Sequence, residues 1–319
     1  MIINILRRTS KELRIGYWRN KKAILMTHLS QSPRRRAFLQ FMGLAGLAAV
    51  GNVGSLLATE PRVTTPPYNT FTEEEELALG RQFSAKYESK VEILSNALID
   101  AYLNDIVKKI GDASQRPQWP YQIKVVNDSE INASAIPGGF LYLHRGLLEF
   151  VADENEMVGA IAHEVGHVVA RHTTNQLSLL LIAQHVFDQV KHNILMDNEV
   201  FAQVLQQLGG PVVVLAQLKY SRQNESEADL LGFYEMLRAG WNPNGLYKFF
   251  TRLQQKTGSQ SPVDVMLSDH PATEERARVM RRELESITVP PGLREQTFQF
   301  QALKLALSMM GPAPRPARR

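Results

Sequence analysis

Residues 156–172 form an apolar helical segment that carries two histidines and a glutamate in the order His163-Glu164-Val165-Gly166-His167. At roughly 100° per residue the histidines fall about 40° apart, on one face and one turn from each other. Ala160-Ile161-Ala162 before them and Val168-Val169-Ala170 after them make most of the helix surface apolar. The polar side chains are therefore expected to be buried, where they need partners. Two imidazoles one turn apart suit a shared tetrahedral metal, and Glu164 then stands beside it, able to take a proton from water. The 319 residues include no cysteine, so ligands must come from histidine and carboxylate side chains, and disulfides are excluded.

A third ligand is required. The sequence offers His172 and the acids of the helix expected over 212–239. His172 lies nine residues beyond His163, about 180° around an unbroken helix, and no glycine after His167 turns the chain toward it. It is expected to meet carbonyls or a neighbouring carboxylate at the helix end. Glu225 and Asp229 stand at i and i+4, so one carboxylate can bind metal while the other orients a ligating histidine.

Residues 1–59 read as a leader, with 10 Lys and Arg against one acid; the rest of the chain holds 26 bases and 31 acids. The basic balance thus belongs to the leader, and no nucleic-acid partner is implied. Over 32–58 an arginine cluster precedes a Gly/Ala-rich, uncharged apolar stretch, the layout of an export signal. Arg35-Arg36-Ala37-Phe38-Leu39-Gln40 matches the twin-arginine pattern. Residues 1–25 read as an over-extended start, with Met26 giving a signal of ordinary length. The expected location is periplasmic; the alternative is anchorage to the inner membrane by an uncleaved leader.

A Pro/Thr-rich linker covers 60–71, and a domain over 72–300 begins with a helix rich in acids at its first turn. Helices are expected over 97–110, 156–172, 177–192, 199–208, 212–239 and 272–287, and strands over 121–127 and 139–145. The stretch 132–139 between those strands reads as turn chemistry. Phe140, Tyr142 and His144 share one strand face and are expected in the core. Residues 301–319 read as a helix end and a solvated basic tail. The fold class is α+β, predominantly α-helical, with no repeat of fixed period.

Ser221-Arg222-Gln223-Asn224-Glu225-Ser226-Glu227-Ala228-Asp229, following the HExxH segment, resembles the zinc metalloendopeptidase (gluzincin) family that includes the CAAX prenyl protease and the heat-shock membrane protease. The likeness is greatest to its soluble periplasmic quality-control branch and covers about residues 72–285. The resemblance implies a small antiparallel sheet beside the HExxH helix and one Zn2+ per chain, held by His163, His167 and Glu225. It implies Glu164 as general base, Asp229 behind a ligating histidine, and Arg222 as an ion-pair partner. Asn132-Ala133 and Pro137-Gly138-Gly139 with the strand that follows would be a sheet edge receiving substrate, which would lie extended against 139–145. His270-Pro271 and Arg276 also match, and His270 is expected either as a fourth ligand that keeps the enzyme latent or as an oxyanion donor. The implied function is hydrolysis of peptide bonds in unfolded or misassembled exported proteins, with peripheral membrane association; the alternative is a zinc-bearing chaperone or binding module. The chain departs from parts of the family in lacking several spanning helices, a lipid-attachment cysteine and a helical-repeat extension.

Overall fold

The computed structural model describes residues 69–187, 220–256, 266, 270–271 and 274–316. The leader, most of the linker, the helix expected over 199–208 and the start of that expected over 212–239 lie outside them. Among the described residues no helix is long and apolar enough to cross a membrane.

Helix α1 (Glu73–Glu88) starts at a capping box, in which Thr72 accepts from the Glu75 amide and Glu75 reaches back to the Thr72 amide. Strand β1 (Ile93–Leu94) leads into α2 (Ala97–Asp112), capped by Asn96. Ile99, Leu103, Ile106, Val107 and Ile110 of α2 form its buried stripe. Strands β2 (Gln122–Val126), β3 (Ala133–Ile136) and β4 (Phe140–His144) complete a sheet in the order β1-β2-β4-β3. Val125, Ala133, Ala135, Leu141 and Leu143 point into the main core, whereas Val126, Ile136, Phe140 and Tyr142 pack with Leu79 and Phe83 of α1. The alternation follows the two-residue period of a strand, and it puts Phe140 and Tyr142 in the core as expected.

The sheet is mixed. β4 pairs antiparallel with β3 and parallel with β2, because β3 forms beyond β4's place and the tight Pro137-Gly138-Gly139 turn brings β4 back between β3 and β2. Gly138 and Gly139 both have positive φ, 81° and 93°, which glycine adopts without steric cost. Two further expectations are corrected. Residues 133–136 are strand, and only 137–139 are turn. Among the described residues β1 and β3 are the sheet's edges; β4 has a partner on both sides and cannot add a substrate strand.

After α3 (Arg145–Phe150), the helix α4 (Glu154–Val169) runs through the centre of the core, capped by Asp153 and buried along its whole length. It ends earlier than periodicity suggests. Ala170 caps it, Arg171 takes φ 57°, and α5 (His172–Phe187) starts at once. The left-handed residue is held by its own side chain: Arg171 Nε lies 2.5 Å from Glu76 Oε2, and an Nη donates to the Phe71 carbonyl at 2.6 Å. Nothing in the sequence around 170 marks this break, since no glycine or proline is present.

Helix α6 (Arg222–Arg238) begins at a Ser221–Asn224 capping box and packs against α4. Two glycines set their separation. A Cβ on Gly166 would come within 2.4 Å of the Ala228 carbonyl oxygen, and one on Gly232 within 2.7 Å of that of Ala162. Helices α7 (Asn244–Gln255), α8 (Glu274–Ser286) and α9 (Phe298–Met309) close the domain. Phe300, Leu303 and Leu307 of α9 join the main core. The segment read as a solvated tail is tied down at two points, with Arg145 donating to the Gly311 carbonyl and the Ser129 amide donating to that of Pro314 at 2.8 Å.

Glu235 on α6 is fully buried, and neither carboxylate oxygen has a hydrogen-bond partner among the described residues. Burial pushes its carboxyl well above the ordinary value. A group whose folded pKa is raised binds its proton more tightly in the folded state, so stability falls as pH rises from the unfolded value toward the folded one, by about 1.4 kcal/mol per pH unit. Glu235→Gln removes that titration. It should therefore raise Tm more at pH 8 than at pH 5; equal gains at the two values would mean that Glu235 is ionised and paired.

Candidate metal centre

The close α4–α6 packing faces His163 and His167 with Glu225 and Asp229, one turn apart on α6, and the segment preceding α8 brings in His270. His163, His167, Glu225 and His270 are all buried, and one potential ligand atom from each lies within 4.8 Å of the others. His163 Nε2 is 3.1 Å from His167 Nε2 and 3.2 Å from His270 Nδ1. Glu225 Oε1 is 3.4 Å from His167 Nε2 and 3.2 Å from His270 Nδ1, and its Oε2 is 3.5 Å from His163 Nε2. Ligands about 2.0–2.1 Å from a tetrahedral zinc stand about 3.4 Å apart, so these separations fit one such ion. Three imidazoles and one carboxylate are also the borderline donors that zinc takes.

The charges favour a cation. Burial pushes the Glu225 carboxyl up, but the His270 charge and the three imidazole contacts outweigh it and hold Glu225 far below its ordinary value. Burial works against a proton on His163, yet Asp229 and Glu225 win and push its pKa up to about 9. His167, held down mainly by burial, stays well below its ordinary value. An ionised carboxylate beside imidazoles, one of which holds a proton, is a site that a dication can enter by displacing that proton.

Glu164 lies next to this cluster without joining it. Its Oε1 is buried, has no hydrogen-bond partner among the described residues, and stands 3.5 Å from His270 Nε2. An orphaned buried carboxylate oxygen costs stability and so implies a partner or a task.

The outer nitrogens of the two helix histidines have different supports. His163 Nδ1 lies 2.9 Å from Asp229 Oδ1. Asp229 in turn accepts two bonds from Arg276, from Nε and from Nη2, each 2.7 Å, and Arg276 Nη1 stands 2.7 Å from Glu225 Oε2. Burial pushes Asp229 up, but the Arg276 guanidinium outweighs it and holds the carboxyl below its ordinary value. Arg276 also packs over the Phe250 ring, 4.2 Å from its centroid, and Phe250 meets the His163 ring edge-on at 5.6 Å. The ion-pair role assigned to Arg222 belongs to Arg276. Arg222 is exposed and has no partner among the described residues.

His172 is not among the converging donors, as expected. It opens α5 instead of closing α4; its Nδ1 is 2.9 Å from His167 Nδ1 and its Nε2 3.3 Å from Glu227 Oε2. Tyr220 lies over the His167 ring with centroids 4.1 Å apart, and its hydroxyl is 2.9 Å from Thr173 Oγ1. Sequence reasoning missed the contacts of Arg276, Tyr220 and Phe250, which come from separate helices and loops. The proximity of Tyr220 to the Glu225 motif was the available signal. His144, expected in the core, is buried and paired with Asp128, Nδ1 to Oδ1 at 2.7 Å.

The chain is similar to known proteases along most of this domain. It is 26% identical over 258 residues to the putative β-barrel assembly-enhancing protease of Vibrio cholerae, covering 77% of this chain and 49% of the relative. It is 28% identical over 219 residues to the metalloprotease YcaL of Escherichia coli, covering 68% and 83%. It is 24% identical over 188 residues to the mitochondrial metalloendopeptidase OMA1 of Schizosaccharomyces pombe, covering 59% and 54%. The chain spans about half the length of the β-barrel assembly-enhancing proteases it matches. The family described as peptidase family M48 matches residues 97–284, a span that contains every residue of the candidate metal centre. The chain belongs to peptidase family M48.

Proposed function

We propose that this chain is a zinc-dependent endopeptidase that cuts unfolded or misassembled proteins in the cell envelope. The observation that carries the reading is the buried convergence of His163, His167, Glu225 and His270 beside an orphaned Glu164 oxygen. His163, His167 and Glu225 would hold the metal. Bound zinc supplies Lewis acidity, which acidifies water and polarises a scissile carbonyl. Glu164 takes the proton from the attacking water and delivers it to the leaving amine. Asp229 and Arg276 hold His163 and Glu225 in place, so the chemistry needs little rearrangement of the protein.

The edge of β3, which packs beside α4 and has no strand partner on its outer side among the described residues, would accept substrate as an added strand. Backbone pairing tolerates many side chains, which suits unfolded clients better than one fixed sequence. The names of the β-barrel assembly-enhancing relatives support clients among β-barrel proteins awaiting assembly. The export signal over 32–58 supports a periplasmic location reached by the twin-arginine route.

His270 is read as a fourth ligand that occupies the place of the attacking water. Its support is the 3.2 Å separation of Nδ1 from both His163 Nε2 and Glu225 Oε1. On this reading His270→Ala should raise the rate of proteolysis with the metal retained. A fall on the order of 10²-fold would assign it instead to the developing oxyanion. Digestion of an unfolded protein that stops with chelator and resumes with zinc tests the proposed function as a whole. Zinc binding and client binding without cleavage would turn it to the chaperone alternative.

A further inference from the structure

His172 is fully buried against the metal centre, yet it contributes none of the converging donors. Its position depends on the break after α4. Arg171, in the left-handed region at φ 57° and clamped by Glu76, turns the chain so that His172 folds back under His167. An unbroken helix would carry His172 to the opposite face.

The hydrogen-bond chemistry of this contact is restricted. A His167 that directs the Nε2 lone pair at a metal keeps its proton on Nδ1. That proton faces His172 Nδ1 at 2.9 Å, which must then be the acceptor. His172 consequently carries its own proton on Nε2, facing Glu227 Oε2 at 3.3 Å. Donors and acceptors alternate along the chain Glu227, His172, His167 without conflict, and only one tautomer of each ring satisfies it. We propose, resting on the metal-centre reading above, that His172 is a positioning residue, which with Glu227 behind it fixes the His167 ring with Nε2 toward the metal. His163 receives the equivalent support from Asp229 and Arg276, so each helix histidine has its own brace.

The test is competitive zinc binding to the full chain against a chromophoric chelator, for the parent, His172→Leu, His172→Asn and Glu227→Ala. Loss of an outer partner of a metal-bound imidazole typically weakens affinity by about 10–100-fold, and that is the expected loss for His172→Leu. His172→Asn, whose amide oxygen stands near the former Nδ1, should recover most of it. Glu227→Ala should fall between parent and His172→Leu. The visible spectrum of the cobalt-loaded His172→Leu protein should shift, while the Tm of the metal-free Asn variant should match that of the parent. Parent-like affinity in His172→Leu, or an Asn variant as weak as the Leu variant, would overturn the proposal and leave His172 a packing residue. Should the Leu variant fail to fold, parent-like affinity in Glu227→Ala or no difference between the Asn variant and Glu227→Ala would do the same. A parent protein that binds no zinc would instead sink the metal-centre reading itself.

Discussion

Glu164→Gln is expected to remove peptide hydrolysis while leaving zinc in place. The two side chains are nearly the same size, and Glu164 is not one of the four converging donors, so the site should keep its shape and its metal. What the amide cannot do is accept a proton from water. General-base catalysis contributes about 10²–10⁴-fold, and Glu164 is the buried carboxylate beside the cluster whose Oε1 has no hydrogen-bond partner among the described residues. Steady-state proteolysis with zinc content measured on the same samples checks both halves. Activity within about tenfold of the parent would show that another group moves the proton.

Glu225→Gln should fail one step earlier, at metal binding. Glu225 supplies the only carboxylate in a donor set that otherwise consists of neutral or protonated imidazoles. Its Oε2 also faces the Arg276 guanidinium at 2.7 Å. Neutralising it removes a ligand charge and one of the carboxylates that face the buried Arg276 guanidinium, which raises the local positive potential just where a dication must enter. The loss of zinc affinity should exceed the approximately 10–100-fold expected for Asp229→Asn, which acts on the metal only through His163. Chelator competition ranks the two variants. Equal zinc affinity in Glu225→Gln and the parent would remove Glu225 from the ligand set.

The parts of this molecule that were legible in its sequence are those governed by one local period. The 3.6-residue spacing of His163 and His167 inside an apolar helix, and the i, i+4 spacing of Glu225 and Asp229, carry over directly to a shared site. The acid-rich first turn of α1 and the alternating run of β2 do so as well. What escaped depends on tertiary partners. Ala133-Ser134-Ala135 has little intrinsic strand preference and becomes β3 because β4 offers it an unpaired edge. The break at Arg171 exists because Glu76, 95 residues earlier, holds the side chain. Arg276, and not Arg222, makes the ion pair because α8 packs against α6, a contact no helical spacing within α6 encodes. The same docking converts His270 from a loop histidine of ambiguous purpose into a fourth donor of the cluster.

The most direct test of the account is a zinc titration of the metal-stripped protein, read as cleavage of an unfolded protein substrate. Activity that rises linearly and breaks at one zinc per chain is the predicted result. Cleavage that survives complete metal removal, or no cleavage at any zinc concentration, would contradict it.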